Sequence, residues 1–195
     1  MVGKTFNLSG KLLIFQIWWN TTDEIEDKYQ QLIDKNTTIL EGYPHYIFTK
    51  KDIELFLKQN TELKEIFNEF SKNVNSFYFQ SDLLRFMILY KYGGIYLDLD
   101  VELYNNFYEF YNELNTKYKN FELIPDDKHI FFLKFNKSSK ILERLIKKYL
   151  LLKKGLMDSQ LISFKWMFEY PNFMFLPTNK IYKYMKHYSF KGIFK

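Results

Sequence analysis

Four side chains combine a reactive type with a telling spacing: Asp82, Arg85, Asp98 and Asp100. They lie in the segments Gln80-Ser81-Asp82-Leu83-Leu84-Arg85 and Tyr92-Gly93-Gly94-Ile95-Tyr96-Leu97-Asp98-Leu99-Asp100. An apolar strand that delivers two carboxylates to its end is costly unless a cation or donors replace the lost water, which points to a divalent metal ion. Strand side chains alternate with period two, so Asp98 and Asp100 are expected on one side, sharing one ion. Asp82 and Arg85 are three apart, which puts them on a common helix face within reach of one polar ligand. The plainer alternative for them is an exposed helix ion pair, worth little to stability.

Those residues need a helix followed by a strand. Ser81 is the expected helix cap, Asp82 suits the positive end, and Leu83, Leu84, Met87, Ile88 and Tyr90 form an apolar face. Gly93 and Gly94 end the helix and permit the turn into the strand. Upstream, residues 11–19 read as a buried strand, 23–35 as a helix opened by Thr21 or Thr22, 44–48 as a strand, and 51–58 and 62–71 as helices. Downstream, 130–135 reads as a strand and 138–153 as an amphipathic helix ended by Gly155. A helix over 158–168, a strand over 173–176 and a helix over 179–186 complete the expected order. This alternation predicts an α/β fold with a mostly parallel sheet flanked by helices, in which ligands bind at the carboxyl ends of the strands. Trp18 falls at such an end and offers a flat face to a nucleotide base, with Trp19 turned to the core.

Composition bounds the function classes. The 195 residues are 47% hydrophobic and 21% aromatic, enough for a substantial core, and without repeats or a Pro/Gly-rich linker they read as one domain over 1–195. The formal charge of +5 suits an anionic ligand such as a nucleotide diphosphate and is too weak to demand nucleic acid. With no cysteine, disulfides and zinc–thiolate sites are excluded. The apolar run over 12–19 is far shorter than the roughly 20 residues of a spanning helix. A soluble, cytoplasmic protein without a transmembrane segment is expected.

At these motifs the chain resembles the Asp-x-Asp glycosyltransferases of GT-A fold, the group that includes Golgi α-mannosyltransferases and α-galactosyltransferases and the glucosylating bacterial toxins. The shared pattern is Ser-Asp-x-x-Arg, a helix, and Gly-Gly-x-Tyr-x-Asp-x-Asp, with Asp82 and Asp98 sixteen positions apart. Ile14-Phe15-Gln16-Ile17-Trp18-Trp19 is similar to the family's first strand, Ile-His-Gln-Ile-Trp, with Phe15 in place of its histidine. The likeness covers roughly residues 11–103. It implies a Mn²⁺ or Mg²⁺ ion held directly by Asp100, a ribose and water-mediated metal contact for Asp98, donor-sugar contacts for Asp82 and Arg85, and a nucleotide pocket lined by Tyr96. It further implies a nucleotide-sugar donor, with UDP-sugar the expected one, and a glycan or glycoconjugate acceptor.

The C-terminal half carries looser matches. His187-Tyr188-Ser189 resembles a family ending in which histidine precedes Ser-Trp, and neutral imidazole is a good metal ligand; an exposed tail histidine is the alternative. Asp158 and Gln160 resemble an Asp/Gln element that some retaining transferases place beneath the reacting sugar, although a helix cap also explains Asp158. Lys191 is a candidate diphosphate contact. His45 and His129 have no motif around them. Two rival functions stay open at this point. One is a haloacid-dehalogenase-like phosphatase, whose first motif is also Asp-x-Asp after an apolar strand, but which normally sits near the chain start and carries Thr or Val where this chain has Glu102. The other is a non-catalytic carbohydrate- or nucleic-acid-binding module.

Overall fold

The computed structural model describes residues 11–22, 24–127, 129–150 and 164–188. Strand β1 (Ile14–Ile17) is central to the first half: it pairs in parallel with β2 (His45–Phe48) on one side and β3 (Gly94–Leu97) on the other. Beyond β3 the antiparallel β6 (Phe132–Phe135) leads to β5 (Glu122–Pro125) and then β7 (Phe173–Leu176), giving the order β2-β1-β3-β6-β5-β7. Only β6 runs against the others. The mixed α/β architecture with a mostly parallel sheet is therefore the expected one.

Period-two alternation sorts the strand side chains into two cores. Phe15, Ile17, Tyr96, Leu133 and Phe135 pack on one face against α2 (Lys50–Gln59), α3 (Thr61–Asn73), α4 (Phe77–Tyr92) and α6 (Lys140–Leu150). Ile14, Ile95, Leu97 and Phe132 face the other way, onto α5 (Phe107–Asn115), α7 (Thr178–Ile181) and a short second sheet of β4 (Val101–Leu103) with β8 (Met185–His187). Tyr96 thus lies on the α4 side of the sheet. Gly94 has φ of 113°, and a Cβ there would stand 2.3 Å from the Leu13 carbonyl oxygen, so glycine is what lets β3 run against β1.

Several boundaries differ from the sequence expectation. Helix α4 starts at Phe77 after Ser76, so Ser81 is no cap and Asp82 sits a full turn inside. The Gln80 side chain accounts for the extra turn: its Nε2 donates to the Val74 carbonyl and its Oε1 accepts from Trp19 Nε1, which anchors this end in the core. Helix α1 runs Asp27–Ile39, later than expected, because the carbonyls of Thr21 and Thr22 accept from Lys50 and Trp18 instead of opening a helix. The expected helix over 179–186 is only α7; the chain then pairs as β8 with β4, whose edge would otherwise be open. Of the expected helix over 158–168, residues 164–169 form a 3-10 turn and the rest lies outside the described residues, as does Gly155.

Candidate active site

The backbone leaves the main sheet at Asp98, turns through Leu99 and Asp100, and enters β4 at Val101, whose N–H donates to the Asp98 carbonyl at 3.2 Å. Asp98 and Asp100 therefore belong to a turn, not to a continuous strand. Their approach follows from that turn and from the pairing of β4 with β8, which places His187 opposite Val101. His187 Nε2 lies 3.2 Å from Asp100 Oδ1 and 3.9 Å from Asp98 Oδ2. Phe131 stacks on the imidazole at 4.6 Å and fixes its plane. Asp98, Asp100 and His187 each present one donor atom, and these atoms lie within 4.8 Å of one another. Burial opposes a charged imidazole, but the Asp100 bond and the charges of Asp100, Asp98 and Asp127 outweigh it and raise the His187 pKa.

Behind this cluster lies a buried polar network. Arg85 Nη2 stands 2.8 Å from Asp82 Oδ1, its Nη1 is 3.3 Å from Asp98 Oδ1 and donates to the Ile130 carbonyl at 2.9 Å, and the guanidinium lies over the Tyr96 ring at 4.5 Å. Tyr96 donates its hydroxyl to Asp98 Oδ1 at 2.5 Å. The Asp82–Arg85 pair is buried, at 9% and 5% side-chain exposure, which replaces the exposed ion pair considered from sequence. Its hydrogen bonding is incomplete among the described residues: Asp82 Oδ1 meets Arg85 without hydrogen-bond alignment, and Arg85 Nε has no partner there. Burial, opposed by Arg85 and reinforced by Asp98, lifts Asp82 to about 6. Burial also raises Asp98, again against the pull of Arg85, and holds the Tyr96 hydroxyl well above its usual range.

The arrangement is a cluster of two carboxylates and an imidazole close enough to share a cation, backed by the buried Asp82–Arg85 pair. Comparison with known families bears on what it serves: the family described as glycosyltransferase sugar-binding region containing DXD motif matches residues 20–121, just over half of the chain. The chain belongs to this family. Among curated proteins none matches the chain. Membership accounts for the Asp-x-Asp at 98 and 100, answers the phosphatase alternative, and suggests glycosyltransferase activity on a GT-A-like fold.

The family match ends before β8; His187, a candidate ligand from the sequence, is brought to the two carboxylates by the pairing of β8 with β4. Trp18 is 5% exposed, with its ring 5.5 Å from that of Tyr29 and its Nε1 donating to the Thr22 carbonyl; it forms a small cluster with Tyr29, Ile33 and Leu99. Trp19 points elsewhere, against Phe67 and Phe77. Asp158, Gln160 and Lys191 lie outside the described residues. Sequence reasoning missed Phe131, which had no signal beyond its place in an expected strand. It also left His45 without a role, yet His45 is hydrogen-bonded to Gln16 at 3.1 Å and its pKa is lowered by burial to about 4. No helix among the described residues is long and apolar enough to cross a membrane.

Proposed function

We propose that this protein transfers a sugar from a nucleotide-diphosphate sugar, a UDP-sugar in the first instance, to a hydroxyl of a glycan or glycoconjugate. The observation that carries the reading is the meeting of Asp98, Asp100 and His187 in a chain of this family. An oxygen-rich donor set with one imidazole suits Mn²⁺ or Mg²⁺, and Asp100 and His187 would hold the ion, with Asp98 beside it. Bound there, the ion supplies Lewis-acid stabilisation of the departing diphosphate. Asp82 and Arg85 bind and orient the donor sugar: the carboxylate accepts from sugar hydroxyls and the guanidinium donates to sugar and phosphate oxygens. The place of the pair directly behind the Asp-x-Asp turn, with Arg85 Nη1 3.3 Å from Asp98 Oδ1, supports this. Trp18 and Tyr96 are the residues proposed for the nucleotide, and Lys191 is a candidate diphosphate contact. Asp158 and Gln160 are candidates for the position beneath the reacting sugar. Residues 1–195 act as one domain in this reading.

Calorimetric titration of UDP with and without Mn²⁺ tests the proposal. Binding should strengthen when Mn²⁺ is present and weaken in Asp100→Asn. Equal affinity with and without metal, in both proteins, removes the metal from the proposal.

A further inference from the structure

The turn carrying Asp98 and Asp100 leaves the main sheet, and its backbone is held at both ends by buried side-chain amides. At its entry Gln16, 1% exposed on β1, donates Nε2 to the Asp98 carbonyl at 3.0 Å. The Gln16 Oε1 in turn takes the hydrogen bond of His45 Nε2, which fixes the direction of the amide and requires the imidazole to carry a proton on Nε2. At its exit Asn36, 1% exposed on α1, uses both ends of its amide. Its Nδ2 donates to the Val101 carbonyl at 2.7 Å and its Oδ1 accepts from the Leu103 N–H at 2.9 Å. Asn36 thus does for one edge of β4 what a neighbouring strand would do, while β8 pairs with the other edge.

We infer that Asn36 and Gln16 are positioning residues for the metal-binding turn, setting the separation of Asp98, Asp100 and His187 through the backbone rather than touching a ligand. The inference rests on the metal reading above for its purpose and on these hydrogen bonds for its geometry. Val101 links these contacts. Its carbonyl is held by Asn36, its N–H closes the turn on Asp98, and it is the residue paired with His187. A side chain that fixes Val101 therefore fixes the approach of His187 to Asp100. Amides suit this task because they supply a donor and an acceptor on one rigid plane and stay neutral, so they add no charge behind the two carboxylates.

The test compares Asn36→Ala and the near-isosteric Gln16→Met with wild type and with Ile53→Ala, a core substitution in α2 remote from the turn. Thermal melting establishes that each variant folds. Mn²⁺ alone is titrated by electron paramagnetic resonance, and the His187 ring is followed by ¹H–¹⁵N correlation spectroscopy in metal-free buffer, assigned with His187→Gln. The expected result is a roughly tenfold or greater loss of Mn²⁺ affinity in both amide variants, the usual scale for groups that orient metal ligands. The His187 ring signal should shift in both, and neither change should occur in Ile53→Ala. Unchanged His187 signals in folded Asn36→Ala and Gln16→Met overturn the inference, as does an equal loss of Mn²⁺ affinity in Ile53→Ala. If wild type itself takes up no Mn²⁺, the metal reading falls and the His187 signal alone decides.

Discussion

Replacing Arg85 with Met should destabilise the protein by an amount that depends on pH in a defined direction. Arg85 is 4% exposed and is the cation facing both Asp82 and Asp98. Removing one partner from a buried ion pair typically costs about 3–5 kcal/mol, because the remaining charge is left without compensation. The carboxylates can escape that cost by taking up protons. Asp82 already stands at about 6 with Arg85 present, because burial outweighs the pull of the guanidinium. Loss of the guanidinium moves both carboxyls further up. A carboxyl whose folded pKa lies above its unfolded one binds more protons folded than unfolded between the two values, so stability falls as pH rises through that window. The loss caused by Arg85→Met should therefore be largest at pH 7.5 and smaller at pH 5. Urea denaturation of both proteins at the two pH values, in metal-free buffer, measures it. Equal losses at both pH values, or a loss below about 1 kcal/mol at pH 7.5, the range of an exposed pair, refute the reasoning. Asp82→Leu added to Arg85→Met should regain stability, since exchanging both partners for apolar groups removes the uncompensated charge.

Three further outcomes are expected. Trp18→Ala should weaken UDP binding by about 1–3 kcal/mol, the scale of base–aromatic stacking, and wild-type fluorescence should change on adding UDP; a crystal complex with the base distant from Trp18 ends that role. Asp82→Ala should cost roughly ten- to a hundredfold in UDP-sugar affinity or turnover while barely altering UDP affinity, as loss of a hydrogen bond to a charged group predicts. Parallel titration of both ligands checks this, and equal losses assign Asp82 to the nucleotide site or to the helix itself. Gly94→Ala should lower the melting temperature strongly, by the equivalent of at least about 1–3 kcal/mol of backbone strain, because the new Cβ meets the Leu13 carbonyl oxygen at 2.3 Å.

The helix, the Gly-Gly stop, the β3 strand and the Asp-x-Asp were legible in the chain because each is written in contiguous residues. Spacing of three set Asp82 beside Arg85, the apolar residues from Leu83 onward marked α4, and the paired glycines marked the turn into β3. The family motif is likewise local, and it carried the family assignment and the sheet class with it. What the tertiary structure decided is everything that depends on partners far apart in sequence. Burial of the Asp82–Arg85 pair required Asp98 and the Ile130 carbonyl to close over it, so the same spacing that suits an exposed ion pair became a buried network. The start of α4 moved back because Trp19 and Val74 engage Gln80. His187 reached Asp100 only through the antiparallel pairing of two three-residue strands, which carry too few residues to show a period. Asn36 lay just past the helix expected over 23–35 and carried no signal until β4 was laid against it. Local interactions choose the elements, whereas unpaired backbone groups and charges at their ends are satisfied by whatever the folded chain brings near, and that choice is not written in any one segment.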